Sequence, residues 1–214
     1  MSKLLFNRRS VALAEWTLNA PKVLNSVDID MIDLMLSELV KWRQEGPPRA
    51  LVMNGAGGKA FCAGADIVSL YNSRMTDGAD KTILSSFFAK KFLLDYTLSQ
   101  MTETRQISVW NGVCMGGGVG LSWHSPVRIA TDNSLFAMPV TVIGSFLGVG
   151  GSYFLPRVAN ENASLGLYLG LTGARVKGKD LVKYGLATHY VHSDSLSDFY
   201  ELLELVISPD SSDS

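Results

Sequence analysis

The chain has 214 residues, 47% of them hydrophobic and 18% charged, with 20 Gly, 7 Pro and 2 Cys; this balance excludes a disordered segment, a collagen-like repeat and a disulfide-stapled scaffold. Its 19 Lys and Arg nearly cancel 20 Asp and Glu, for a formal charge of −1, so no net field recruits nucleic acid or an anionic membrane and any anionic ligand has to be held locally. A single domain of this length buries roughly 70% of the surface its unfolded chain exposes, which needs neither staple nor metal.

The first residues carry Lys3, Arg8 and Arg9 with no acid, as transit peptides do, yet residues 10–18 already alternate as a strand; an organellar and a cytoplasmic protein both stay open. In that strand Val11, Leu13 and Glu15 share one face and Ala12, Ala14 and Trp16 the other, and Asn19-Ala20-Pro21 closes it as a turn. Ser26 or Asp28 caps a helix in which Ile29, Ile32, Leu36, Leu39 and Val40 recur at helical spacing, and Gly46-Pro47-Pro48 stops it. Residues 50–53 read as a short buried strand emptying into a glycine-rich loop over 55–59. Residues 72–80 read as an exposed loop before a long helix over 81–101, with the apolar stripe Ile83, Leu84, Phe87, Phe88, Phe92 and Leu93. A strand at 107–110 runs into a glycine-rich turn and a helix over 119–124. Strands at 126–130 and 135–137, a helix at 163–171, a strand at 187–191 and a last helix over 195–207 complete an α/β alternation. Residues 1–207 form one domain on this reading, and 208–214 form a polar tail. The longest weakly polar stretch, 112–121, is about half of what a membrane-spanning helix needs. Cys62 and Cys114 sit in core-like segments and read as buried small hydrophobes, as in a reducing compartment. Trp42, Trp110 and Trp123 read as packing residues.

Two turns attract chemistry: Ala63-Gly64-Ala65-Asp66 and Gly116-Gly117-Gly118, each where a strand hands over to a helix. Small residues there let a ligand oxygen approach backbone N–H groups, and a helix N-terminus adds positive potential. Two such N–H groups converging on one oxygen make an oxyanion hole, which stabilises an enolate or tetrahedral intermediate by several kcal/mol in order of magnitude. Tight packing explains either turn taken singly. Nucleotide motifs fail, since a Walker loop needs Gly and Ser or Thr where the chain has Met53 and Ala60, and a dinucleotide fingerprint needs Gly at Leu121. A serine elbow fails because Ser145 stands one place early between Gly144 and Gly148. His124, His189 and His192 lack the spacing of a metal site, so no metal is expected.

Three segments, Leu18-Asn19-Ala20-Pro21-Lys22-Val23-Leu24-Asn25, Gly58-Lys59-Ala60-Phe61-Cys62-Ala63-Gly64-Ala65-Asp66-Ile67 and Asn111-Gly112-Val113-Cys114-Met115-Gly116-Gly117-Gly118-Val119-Gly120-Leu121-Ser122, resemble the enoyl-CoA hydratase/isomerase (crotonase) superfamily. Phe136-Ala137-Met138-Pro139, Gly150-Gly151-Ser152-Tyr153-Phe154-Leu155-Pro156-Arg157 and Leu171-Thr172-Gly173 resemble its 3-hydroxyisobutyryl-CoA hydrolase branch, as does Gly185-Leu186-Ala187-Thr188-His189-Tyr190-Val191. The resemblance covers residues 5–207. It implies a ClpP/crotonase-like spiral of ββα units that binds an acyl-CoA thioester as substrate, with no cofactor, and a mitochondrial location. It implies an oxyanion hole from the N–H groups of Ala63 and Gly117, within a binding set of Ala63, Gly64, Ala65, Asp66, Gly116 and Gly117.

The same resemblance exposes departures. Where the hydrolase branch places a Glu after Met-Pro and an Asp eight residues on, this chain has Val140 and Gly148, and neither side chain can move a proton. Paired acids after Phe-Phe are replaced by Ala89-Lys90-Lys91, and the Glu of the hydratase branch falls on Gly120. The hydrolases also continue into a C-terminal helical region that this chain lacks. Asp66 is the nearest acid that could serve as a base, and its alternative role is a helix N-cap. Two functions follow: a hydrolase of valine catabolism with impaired catalysis, or a non-catalytic scaffold descendant, such as a mitochondrial ribosome-associated subunit. Its partners are then an acyl-CoA, and a second copy or a scaffold partner; Arg8, Arg9, Lys90 and Lys91 could contact RNA locally, although no nucleic-acid signature is present.

Overall fold

The chain opens as a hairpin: β1 (Leu4–Arg8) pairs antiparallel with β2 (Leu13–Leu18), from Leu4 opposite Leu18 to Arg8 opposite Ala14. Ser10 makes the turn, its Oγ accepting from the N–H groups of Ala12 and Leu13. The structure, a computed structural model, describes residues 2–78 and 80–207; the tail read over 208–214 lies outside the described residues. α1 (Ile29–Glu45) is capped by the Asp28 carboxylate, which accepts from the Met31 N–H, and ends at Gly46 with φ +94°.

From there the chain winds as a spiral, each turn giving one strand to each of two sheets. β3 (Ala50–Gly55) and β4 (Ala60–Cys62) make the first such pair, and α2 (Ile67–Met75) and α3 (Ile83–Ser99) bring the chain back. β5 (Arg105–Trp110) and β6 (Val113–Met115) repeat the step and lead into α4 (Gly117–Ser122). β7 (Val127–Ala130) and β8 (Leu135–Ala137) repeat it again and pass through a 3-10 turn, Pro139–Ile143, to α5 (Gly151–Phe154), α6 (Val158–Glu161) and α7 (Ala163–Thr172). β9 (Val176–Lys177), α8 (Asp180–Lys183), β10 (His189–Tyr190) and α9 (Leu196–Ile207) follow. One sheet runs β1-β2-β3-β5-β7-β10 and is parallel except at β1. The other runs β4-β6-β8-β9 and is parallel except at β9. This is the spiral of ββα units that the motifs imply.

Parallel strands covered on both faces read as continuous apolar runs, and the large sheet shows why. Trp16, Leu51 and Met53 pack beneath α1 with Met31, Ile32 and Met35. Leu13, Val52, Ile107, Val109 and Ile129 face the other way and are covered by Phe199, Tyr200, Leu203 and Ile207 of α9. Each fully buried side chain of this size contributes about 1.5–3 kcal/mol. Among the described residues no helix is long and apolar enough to cross a membrane.

The structure corrects several boundaries. The strand read over 10–18 starts only at Leu13, and the basic residues before it belong to the fold: Lys3 pairs with Asp28 and Asp30, and Arg9 pairs with Glu15 and Glu204. The loop read over 72–80 begins inside α2, whose last turn runs to Met75. Lys90 pairs with Asp33, and Lys91 is 2% exposed, so Lys91 is removed from any surface that could meet RNA. Asp66 is an N-cap: it accepts from the Ser69 N–H at 3.0 Å and the Ser69 hydroxyl at 2.7 Å. Cys62 and Cys114 are free, buried and opposite one another across β4 and β6.

Candidate functional site

The two glycine turns meet. Gly64 has φ +114° and Gly116 has φ +49°, conformations that side-chain-bearing residues rarely adopt. A Cβ on Gly64 would stand 3.4 Å from the Gly117 nitrogen, and a Cβ on Gly117 would stand 3.3 Å from the Ala65 nitrogen. Gly118 lets α4 sit directly on β4, since a Cβ there would lie 2.5 Å from the Cys62 carbonyl oxygen. Gly64, Gly116 and Gly118 are buried, whereas Ala65 and Gly117 are partly open.

Hydrogen bonding sorts the expected donors. The Ala63 N–H donates to the Leu24 carbonyl at 3.0 Å, so it is occupied, in contrast to the role the resemblance implies for it. Residues 63–66 run as a bridge parallel to Val27: the Val27 N–H donates to Gly64 O at 2.7 Å and the Asp66 N–H to Val27 O at 2.9 Å. In such a bridge the intervening residue turns its own N–H to the other side, and that residue is Ala65. Among the described residues the Ala65 N–H has no backbone acceptor outside regular elements, and Gly117, at the first position of α4, has no acceptor within its helix. The period-two logic of the bridge was the signal that distinguishes Ala65 from Ala63.

Asn25 holds this geometry, and the sequence reading gave it no role. It is fully buried at φ +55°, its Oδ1 accepts from the Ala20 N–H, and its Nδ2 donates to Ala56 O and Ala60 O. The neighbouring Leu24, also at positive φ, thereby presents its carbonyl to Ala63.

The two positions read as lost acids lie on one segment. Val140 sits in the 3-10 turn, where its carbonyl accepts from the Ser145 N–H and Thr141 reaches back to the Leu171 carbonyl on α7. Gly148 sits beside Phe146, and the next residue, Val149, packs onto α4: its Cβ lies 2.6 Å from where a Cβ on Gly120 would be. Position 148 is therefore brought to the glycine turns through its neighbour, while the contacts given for Val140 lead toward α7. A separate cavity of about 550 Å³ lies at the ends of α1 and α3, lined by Trp42, Arg43, Tyr96 and Glu103 among others, and none of the expected site residues lines it.

The enoyl-CoA hydratase/isomerase family pattern matches residues 13–213. The chain belongs to this family. Among curated relatives it is 41% identical over 212 residues to the mitochondrial 3-hydroxyisobutyryl-CoA hydrolase of Rattus norvegicus, covering 99% of this chain and 53% of that protein. The enzyme of the same name from Homo sapiens is 42% identical over 193 residues, covering 90% of this chain and 48% of that protein. The chain spans about half the length of these relatives. Among solved structures, a carnitinyl-CoA dehydratase from Mycobacterium thermoresistibile superposes with a TM-score of 0.84 at 34% identity, covering 98% of this chain and 58% of that one. An enoyl-CoA hydratase from Rhodobacter sphaeroides 2.4.1 gives 0.85 at 30% identity, covering 97% and 59%.

The electrostatics of this crotonase-family site are set by burial. Desolvation pushes the Cys62 thiol up to about 11 and the Cys114 thiol well above its ordinary value, so both stay protonated and unreactive. Beneath α4, Lys91 and Asp95 form an ion pair with Nζ–O distances of 2.5 and 2.6 Å. Burial holds the Asp95 carboxyl above the usual carboxylate range, with Lys91 opposing, and burial lowers the nearby His124 imidazole below its ordinary value.

Proposed function

We propose that this chain is the thioester-binding core of a 3-hydroxyisobutyryl-CoA hydrolase-type protein, in which the N–H groups of Ala65 and Gly117 hold the thioester carbonyl oxygen. The juxtaposition of those two open N–H groups carries the reading. Gly64 and Gly116 supply the close approach, and Asp66 fixes the turn as a cap. One oxyanion donor is worth about 3 kcal/mol on the transition state. The relatives' names supply the acyl group and the mitochondrial location, the place in valine catabolism is what the family resemblance implies, and the substrate's own coenzyme A is the only cofactor chemistry the reading needs.

Hydrolysis is slow on this reading, because Val140 and Gly148 carry no acid or base and each absent group removes about 10²–10⁴ in rate. Backbone donors survive as long as the fold does, so binding persists where turnover falls. The test is a calorimetric titration with 3-hydroxyisobutyryl-CoA beside an assay of free thiol release. The unmodified chain is expected to bind, and Gly117→Ala, whose Cβ would crowd the Ala65 nitrogen, to lose affinity tenfold or more. Val140→Glu with Gly148→Asp is expected to raise thiol release by about 10²-fold. Turnover on the order of 1–10³ s⁻¹ by the unmodified chain overturns the impairment. Absence of binding overturns the whole reading in favour of a scaffold protein.

A further inference from the structure

Lys91 and Asp95 stand one turn apart on α3, 2% and 6% exposed, and a single ammonium holds both carboxylate oxygens. Taking two charges out of water commonly costs more than their attraction returns, and well-packed apolar residues of similar volume serve stability as well or better. Packing alone therefore does not account for the pair. Its position is specific: Asp95 Oδ2 lies 3.0 Å from the point a Cβ on Gly120 would occupy, so the carboxylate fills space that any side chain at 120 would take.

Gly120 is three residues past Gly117 on α4, and residues so related on a helix stand about 5–6 Å apart. The Asp95 carboxylate is thus within roughly 9 Å of the Gly117 end of α4 by this spacing. The flank of Gly120 is covered by Val149, a β-branched residue at φ +50°. Such a conformation costs on the order of 1–3 kcal/mol and persists where surrounding structure imposes it, often beside functional groups. The titratable groups facing Asp95 are Lys91 on its own helix, His124 just beyond α4 and Cys62 at the end of β4.

We propose that Asp95 is the proton-handling carboxylate of the slow thioester hydrolysis that remains to this chain without acids at 140 and 148, oriented by Lys91. This rests on the thioester-binding reading above. A water between Asp95 and the bound thioester gives a proton to the carboxylate as its oxygen bonds to the carbonyl carbon. The tetrahedral intermediate then collapses, the C–S bond breaks with its electron pair on sulfur, and the proton passes from Asp95 to sulfur. The products are the free acid and the coenzyme A thiol. Burial raises the Asp95 carboxyl, which brings a carboxylic acid closer to the pH at which it can both take and return a proton.

The experiment uses the full chain with 3-hydroxyisobutyryl-CoA, measuring binding by calorimetry and thiol release across pH. Asp95→Asn is expected to bind within about twofold of the unmodified chain, to release thiol about 10²-fold more slowly or less, and to lose the acid limb of the pH profile. Because that variant leaves Lys91 buried and unpaired, the charge-free pair Lys91→Met with Asp95→Asn is measured beside it. A folded double variant that binds and does not turn over supports the assignment. Turnover in either variant at the unmodified rate, or binding without any turnover in the unmodified chain, overturns it while leaving the binding reading intact. Failure of the unmodified chain to bind overturns both.

Discussion

Two regions of the molecule are built on different principles. The meeting of residues 63–65 with 116–118 is made of backbone: its N–H groups are peptide donors, its side chains are hydrogen or methyl, and its geometry is enforced by the Val27 bridge and the buried Asn25. The segment from Met138 to Gly150 was to supply side chains, and there Val140 and Gly148 offer none that ionise, while Val142, Ile143 and Phe146 stand largely in solvent. A backbone site is inseparable from the fold, because every residue near it is needed for packing. A side-chain site can vanish by single substitutions while its scaffold stands. The difference teaches that the meeting of the two glycine turns reports the fold, and that a claim about chemistry has to rest on the ionisable side chains nearby.

That contrast can be broken at the backbone first. Gly118→Val places a Cβ 2.5 Å from the Cys62 carbonyl and 2.7 Å from its Cβ, and is expected to destabilise by about 3 kcal/mol or more, seen as a lowered urea midpoint with thioester binding lost. Asn25→Ala strips the partners from a buried N–H and two carbonyls. It is expected to cost about 2 kcal/mol, and calorimetry should show weakened binding even at temperatures where the variant is folded, since Leu24 then loses its hold on Ala63. Gly148→Asp tests the other region. Gly148 has no positive φ, and its Cβ would meet only the ring of the exposed Phe146 at 3.3 Å, so thermal unfolding should shift by no more than about 0.5 kcal/mol. A large loss there would show that the segment is as constrained as the glycine turns.

Much of this was legible in the sequence. α1 and α9 announce themselves by periodicity, and the Asp28 cap and Gly46 stop are local signals that hold in the fold; α3 is a helix where the sequence reads one, but Phe88, Phe92 and Leu93 of its expected apolar stripe are exposed, and Lys91, Leu94 and Asp95 are buried instead. β4 and β6 were legible only as glycine motifs, because three residues are too few to show a strand period. β1 escaped because one of its five residues is buried and the rest face outward. In the site, the two turns are visible as small-residue clusters, but the choice between Ala63 and Ala65 depends on a bridge to Val27, some 38 residues away in the chain; Lys91 reads in the sequence as a replaced acid and a possible RNA contact and Asp95 only as part of a helix, because their pairing beside Gly120 is a tertiary feature.

The clasp on the far face of the large sheet sets a timetable. Glu15, in the second strand, is satisfied by Arg9 and by Asn54, and the same network reaches Glu204 and Tyr200 on α9, with Arg9 and Glu204 195 residues apart in sequence. On a ribosome adding roughly 5–20 residues per second, α9 emerges about 10–40 s after the first strands. Throughout that interval the apolar row from Leu13 to Ile129 has no cover from α9. Closure of that face is a late, long-range event of the kind that slows folding, and a nascent chain halted before α9 would present the row to whatever it meets.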